Sequence, residues 1–218
     1  ERAGGYADGD VNPFDLSCYS DWALSEPQLD PADLRTAPGD PYVEQRILGR
    51  LTDTDVRDAL PIAVELGRFD QAMVEPSLVR RGIDPTAAFA GLVGQEWVSV
   101  VSYDTEGQPR VLEVNEHLRR RIRTLVNSDP ARFPLDRHRL GMELADLVLR
   151  GAVEHVPVEA VESAVRLLAP DQAGRMWARL EERITAADAW AWAGQMTPRA
   201  AAVEVERAGD GPTILAAI

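Results

Sequence analysis

The chain has 218 residues and a formal net charge of −13, and 45% of its residues are hydrophobic. These values exclude a chain that is disordered throughout, and no apolar stretch reaches the roughly 20 residues that span a bilayer. A single cysteine, Cys18, excludes an internal disulfide, and three scattered histidines argue against a structural zinc site. No signal peptide opens the chain, so we expect a soluble, cytoplasmic protein. The sequence contains no nucleotide-binding motif, and we expect no cofactor.

Negative charge is concentrated near the N-terminus. Residues 1–40 contain nine acidic and two basic side chains, residues 41–128 contain thirteen and eleven, and residues 129–218 contain fourteen and ten. All 23 basic residues are arginines. Proteins that bind nucleic acid usually carry the opposite net charge. The chain starts at Glu1 and ends in an apolar stretch, residues 211–218, from which we expect a piece of a longer polypeptide.

Residues 1–39 are predicted to be a flexible N-terminus with one short helix. Residues 1–12 are rich in glycine and aspartate, a composition typical of loose termini. Asn12 then suits the N-cap and Pro13 the first helical position, and apolar residues recur at largely helical spacing as far as Leu24. Residues 25–39 contain three prolines and are predicted to be a connector.

Residues 40–128 are predicted to form a winged-helix domain. A helix capped by Asp40 covers residues 40–51, and three short helical patterns cover 52–67, 70–81 and 84–93. Two apolar runs, 96–103 and 108–114, flank a polar turn and predict a β-hairpin. An arginine-rich helix over 115–126 follows. A lone hairpin needs cover for its apolar face, and the three helices would supply it.

The hairpin pattern also predicts which side chains are buried. Successive residues of a strand point to opposite faces, so Trp97 lies on one face while Val98 and Val100 lie on the other. We expect the face of Val98 and Val100 to pack against the three helices.

Residues 129–218 are predicted to be entirely helical, as a bundle or as the start of helical repeats. Candidate helices cover residues 136–150, 158–168, 171–184, 186–195 and 198–207. The fold class predicted for the whole chain is mainly α, with a winged helix of three helices plus a β-hairpin followed by an all-helical region.

One basic cluster is the main candidate for contact with a partner or with nucleic acid: Arg119, Arg120, Arg121 and Arg123. Apolar residues on the other side of this helix predict that the arginines point outward, into water or onto an acidic surface such as residues 1–40. The third helix of the domain, which usually enters the major groove, offers no arginine, asparagine or glutamine to read bases. DNA binding is therefore disfavoured against a protein contact or a solvated face.

Two tryptophans near the C-terminus are candidates for an exposed aromatic contact. Trp190 and Trp192 are two residues apart and cannot share one helix face. We expect one of them to be at least partly exposed, although packing in the core is the ordinary role of such residues.

The chain has no recognisable catalytic constellation. It contains no GxxxxGK[ST] or GxGxxG motif and no glycine-flanked serine elbow, and its three histidines lack metal-ligand spacing. We predict that it is not an enzyme, and a small helical enzyme with an unrecognised site is the least favoured alternative.

Three segments carry a family resemblance: Asn12-Pro-Phe-Asp-Leu16, Asp30-Pro-Ala-Asp-Leu34, and Tyr42-Val-Glu-Gln-Arg-Ile-Leu-Gly-Arg-Leu51 running into residues 54–57. They resemble the part of bacterial STAND-type signalling ATPases (NLR-like, AAA-related) that follows the nucleotide-binding core. The strand-to-helix segment 111–119 is also similar, so that the resemblance covers about residues 12–128. It implies that residues 1–39 include a remnant of the helical lid, that the winged helix packs on the nucleotide domain and helps hold the off state, and that downstream helices sense a ligand.

The sequence therefore predicts a non-catalytic regulatory fragment of a larger multidomain signalling ATPase. Its partners would be the nucleotide-binding domain of the parent polypeptide or another protein, with no membrane contact. The alternative is a winged-helix DNA-binding transcription regulator with a helical effector or dimerisation region.

Overall fold

The computed structural model describes residues 13–30, residue 32 and residues 40–195. This part of the chain is mainly helical and contains a small antiparallel sheet, so the mainly α part of the predicted fold class is confirmed. The α-helices are α1 (Pro13–Ser25), α2 (Thr54–Leu66), α3 (Gln71–Arg80), α4 (Pro85–Val93), α5 (Glu116–Ser128), α6 (Arg137–Leu149), α7 (Val158–Leu167), α8 (Pro170–Ala187) and α9 (Trp190–Ala193). The strands are β1 (Arg68–Asp70), β2 (Val98–Tyr103) and β3 (Pro109–Val114).

Side-chain caps fix the starts of the four helices from α2 to α5. The Asp84 carboxylate accepts a hydrogen bond from the backbone N–H of Thr86 at 2.9 Å, and the Asn115 side chain accepts one from that of His117 at 3.1 Å. Aspartates cap α2 and α3 in the same way. These caps supply partners to N–H groups that a helix leaves unpaired. Because capping residues can be recognised in the sequence, the starts of these helices could be predicted from it.

The helix predicted over residues 40–51 is wrong in type. A π-helical turn covers Tyr42–Ile47, and a 3-10 turn covers Leu48–Arg50. In a π-helix each N–H donates to the carbonyl oxygen five residues earlier, as the Leu48 N–H does to the Val43 carbonyl oxygen. Tyr42, Val43, Ile47 and Leu48 are all buried. The apolar residues of this segment thus reach the core from a turn that is not α-helical.

The three strands form a sheet in the order β1-β3-β2, with both pairs antiparallel. Leu112 at its centre pairs with Phe69 on one side and with Val100 on the other. Val98 and Val100 are half-buried and pack against the core, on the side that the sequence predicted. Trp97, expected on the opposite face, is itself fully buried, because it precedes β2 and enters the core from the loop.

The C-terminal helices continue the same hydrophobic core. Buried residues run as one cluster from Trp22 in α1 to Trp192 in α9, across the predicted domain boundary at residues 128 and 129. The helix predicted over 186–195 is wrong in its bounds, because α8 extends to Ala187 and Asp188 ends it with a φ of 52°. The helix predicted over 198–207 and the loose residues 1–12 lie outside the described residues.

Candidate interaction sites

Helix α5 carries the arginine cluster and is anchored by its apolar face. Leu118, Ile122 and Val126 are buried, and Leu125 is half-buried against the core. This spacing fixes the rotation of α5 and so decides which arginines reach neighbouring elements. The four arginines occupy three different environments.

Arg121 joins three parts of the chain. Its Nε and Nη2 donate hydrogen bonds to the two carboxylate oxygens of Asp40 at 2.5 and 2.7 Å, and its Nη1 donates to Asp15 Oδ1 in α1 at 2.6 Å. Asp15 is only 2% exposed. Burial lowers the pKa of the Arg121 guanidinium, but the bonds and charges of the two carboxylates outweigh burial and raise that pKa above its ordinary value. Arg121 therefore stays charged and fixes α1 to α5.

An aromatic cluster accompanies this contact. The guanidinium of Arg121 lies 5.5 Å from the ring centroid of Tyr42. The Tyr42 ring packs edge-on against Tyr19 and Trp22 of α1, at centroid distances of 5.6 and 5.8 Å. Both kinds of contact stabilise the docking of α1. From the sequence, Asp15 was expected only to lie in a helix and Asp40 only to cap one. The excess of acidic residues in 1–40 was the one signal that these carboxylates could bind an arginine of α5.

Arg119 binds the C-terminal end of α2. Its Nε donates to the Val64 carbonyl oxygen at 2.8 Å and its Nη2 donates to the Glu65 carbonyl oxygen at 2.9 Å. A cation at a helix C-terminus is favourable because unpaired carbonyls carry partial negative charge there. The prediction that the arginines point into water or onto an acidic surface such as residues 1–40 is therefore wrong for Arg119. It is correct for Arg121, whose partners Asp15 and Asp40 lie in residues 1–40. It is also correct for Arg120 and Arg123, which are exposed.

Glu65 gathers further arginines at the same end of α2. Its buried carboxylate lies 2.8 Å from Arg137 Nε of α6 and 3.5 Å from Arg166 Nη1 of α7. Arg166 also donates to the Glu65 carbonyl oxygen at 2.9 Å. Together with Arg119, these side chains connect three helices to one helix end. The sequence did not reveal this centre, because its members are up to 101 residues apart.

The outer surface of α4 is small and uncharged. Thr86, Ala87 and Ala90 are exposed, and the Thr86 hydroxyl accepts a hydrogen bond from Gln71 Nε2 at 3.1 Å. This surface presents no cation to a phosphate and only short side chains to a base edge. The geometry agrees with the absence of reading residues noted in the sequence.

A cleft of about 370 Å³ lies between the sheet and the C-terminal helical region. One wall consists of residues from the three strands, and the other consists of residues from the 3-10 turn Val153–His155, the start of α7 and the chain around α9. Charged, aromatic and apolar side chains share these walls: Arg68, Asp70, Arg110, Val111, Glu154, His155, Val156, Val158, Glu159 and Trp192. The sequence predicted no cleft here, and Trp192 is the only one of these residues that it had indicated as a candidate for contact.

The two C-terminal tryptophans differ in exposure. Trp190 is 53% exposed, whereas Trp192 is 7% exposed and its Nε1 donates to the Val156 carbonyl oxygen at 3.1 Å. The prediction that one of them is exposed is confirmed. Contact of Trp190 with a partner stays a prediction.

Other kinds of site find no support in the part of the chain that the structure describes. There, no group of three or more histidine, cysteine, aspartate or glutamate side chains could hold a metal ion. Within the same residues, no helix combines the length and apolar character that crossing a membrane requires. In comparisons with protein-family models, curated proteins and solved structures, nothing matches this chain.

Proposed function

We propose that this chain is a non-catalytic regulatory segment of a larger, cytoplasmic signalling ATPase of the STAND type. In this proposal residues 40–128 form a winged-helix domain that contacts its own polypeptide rather than DNA. The element order α2-β1-α3-α4-β2-β3 supports a winged helix, because β1 joins the hairpin as the third strand of the sheet.

The observation that carries the proposal is the three-way contact of Arg121. A guanidinium that holds Asp15 and Asp40 at 2.5 to 2.7 Å is used within the chain and is not free for a phosphate. Arg119 is likewise engaged with the end of α2. Two of the four clustered arginines thus serve intramolecular contacts. Helix α1, which Arg121 holds through Asp15, belongs to the segment similar to the lid.

Arg120 and Arg123 are the surface through which the segment would meet the rest of its polypeptide. They are three residues apart on α5, lie on neighbouring helix positions and are both exposed. A guanidinium matches a carboxylate in a planar, two-bond geometry. We therefore expect an acidic surface, on the nucleotide-binding domain or on another protein, as their partner.

The second candidate function, a DNA-binding transcription regulator, rests on the same two exposed arginines. Titration of this chain against a fluorescent mixed-sequence duplex at low salt separates the two functions. Non-specific binders reach dissociation constants of about 10⁻⁴ to 10⁻⁶ M at physiological salt and bind more tightly at low salt. We expect no saturable change in anisotropy.

A control variant tests whether any change in anisotropy comes from DNA binding at Arg120 and Arg123. Micromolar binding that weakens with salt, and that the double change Arg120→Ala with Arg123→Ala removes, would support the regulator and contradict our proposal.

A further inference from the structure

The cleft between the sheet and the C-terminal helical region contains charges of both signs, and some of them already have partners. Arg68 Nε lies 3.1 Å from Glu159 Oε1, so these two charges offset each other. The Asp70 carboxylate accepts the backbone N–H of Met73 at 3.0 Å as the cap of α3. These three side chains, the floor residues of the cleft, interact with other parts of the protein, but the buried Arg68 Nε makes no hydrogen bond among the described residues.

Arg110 and Glu154 differ from the floor residues. Both are exposed, and no ion pair among the described residues uses either of them. Arg110 belongs to β3 and Glu154 to the opposite 3-10 turn, so a cation and an anion face the same cleft from opposite walls. They form no ion pair with each other, although the charge of Arg110 acts on the nearby Asp70 carboxylate and lowers the pKa of Asp70. A molecule between Arg110 and Glu154 could therefore meet both charges.

The charges restrict the chemistry of a ligand. A purely anionic molecule would meet Asp70, Glu154 and Glu159, and burial together with the charge of Glu159 already raises the pKa of Asp70 above its ordinary value. A purely cationic molecule would meet the two arginines. A purely apolar molecule would remove these charged groups from water without replacing their hydration, which is costly.

We propose that this cleft binds a free α-amino acid. The carboxylate of the ligand would contact Arg110, its ammonium group would contact Glu154, and its side chain would pack against Trp192 and Val156. A cavity of about 370 Å³ falls within the range of small-ligand sites, which are roughly 300 to 1,000 Å³. The ligand would join the sheet to the C-terminal helical region across the cleft. This inference does not depend on the proposed function.

Isothermal titration calorimetry and thermal unfolding of this chain test the proposal, with each of the twenty common amino acids as a separate probe. Propionate and propylamine, which carry only one of the two charges, serve as matched ligands. We expect at least one amino acid to bind with one-to-one stoichiometry and to raise the midpoint of thermal unfolding. Neither single-charge compound should bind at the same concentration.

Variants connect any binding to the cleft. Arg110→Ala and Glu154→Gln should each raise the dissociation constant about tenfold, because each removes one of the two charges that contact the ligand. Arg150→Ala is the control, since this arginine is 77% exposed and pairs with Asp146 on α6, away from the cleft lining. No binding by any amino acid would overturn the proposal. It would also be overturned if propionate bound as tightly as the amino acid, or if both cleft variants bound like the unaltered chain.

Discussion

The guanidinium of Arg119 lies against the α-carbon of Gly67. A β-carbon at this glycine would lie 2.4 Å from Arg119 Cζ, and the glycine has a φ of +79°. With a ψ of −57° this conformation lies outside the left-handed helical region, so Gly67→Ala should introduce backbone strain of about 1 to 3 kcal/mol. It should also displace Arg119 from two carbonyl groups, at a further cost of about 1 to 2 kcal/mol. We expect a total loss of about 2 to 5 kcal/mol in urea unfolding.

Gly82→Ala is the matched control for this change. Gly82 has a φ of +76°, but no heavy atom lies within 4 Å of a β-carbon placed there. It should therefore lose only the strain component, about 1 to 2 kcal/mol. Equal losses in the two variants would show that Arg119 contributes nothing to the end of α2.

Removal of Arg121 should be the most destabilising single change among the four arginines of α5. Arg121→Ala leaves Asp15 as a buried carboxylate without its guanidinium partner and detaches α1. Removing one partner of a buried ion pair lowers the free energy of unfolding by about 3 to 5 kcal/mol. Because Asp40 is partly exposed, we expect a loss of about 2 to 4 kcal/mol here. Arg120→Ala, on the exposed side of α5, should change stability by less than about 0.5 kcal/mol. A loss below about 1 kcal/mol for Arg121→Ala, measured by urea unfolding at pH 7, would contradict the docking of α1 through this residue.

Glu143 should make the packing of α6 on α3 dependent on pH. Burial raises the pKa of this carboxyl, but hydrogen bonds from Ser77 and Arg80 outweigh burial and hold the pKa below its ordinary value of 4.5. Because the folded-state pKa is depressed, the contribution to stability is present above pH 4.5 and is lost as the pH falls through the folded-state pKa. We expect Glu143→Gln to cost about 1 to 2 kcal/mol at pH 7.

The difference between Glu143→Gln and the unaltered chain should shrink toward zero below pH 4.5. Unfolding free energies measured from pH 7 down to pH 3 test this expectation. Asp146→Asn provides a comparison on the same helix, since the Asp146–Arg150 pair is well exposed and should be worth about 0.3 to 0.5 kcal/mol. A cost of Glu143→Gln that stays constant over this range would show that the charge of Glu143 is not responsible.

The two C-terminal tryptophans should differ sharply when they are truncated. Trp192 is buried and hydrogen-bonded to the Val156 carbonyl, so Trp192→Ala should cost about 3 kcal/mol through the cavity it leaves. Trp190→Ala removes a half-exposed ring and should cost less than about 1 kcal/mol. Thermal unfolding of the two variants side by side measures this, and similar losses would contradict the assignment of Trp192 to the core.

Local signals explain what the sequence could predict. Asp84 and Asn115 cap their helices through contacts two or three residues along the chain. The alternation of side chains around Val98 and Val100 determines which face of the hairpin packs against the core. Such features depend on neighbours in sequence and are readable without a fold.

The remaining features depend on residues far apart in the chain. Arg121 bonds Asp15, which is 106 positions away in the chain, and Arg119 bonds Val64, which is 55 positions away. The charge pattern of α5 alone indicates only a solvated surface. Strand β1 has only three residues and is defined by its pairing with β3 rather than by its own composition. The cleft is likewise formed by packing between the sheet and α7, which periodicity does not specify.

The most direct test of the proposed regulatory role is ATP hydrolysis by the longer polypeptide that the proposal requires, unaltered and with Arg120→Glu and Arg123→Glu together. Arg119 is excluded from this change because it binds carbonyls of α2, where a carboxylate would be repelled. Both altered residues are exposed, so the double change should cost this chain no more than about 1 kcal/mol. A regulatory contact through these residues predicts a basal hydrolysis rate that changes about fivefold or more. A full-length polypeptide that hydrolyses no ATP, or a double variant whose basal and stimulated rates equal those of the unaltered protein, would contradict the account.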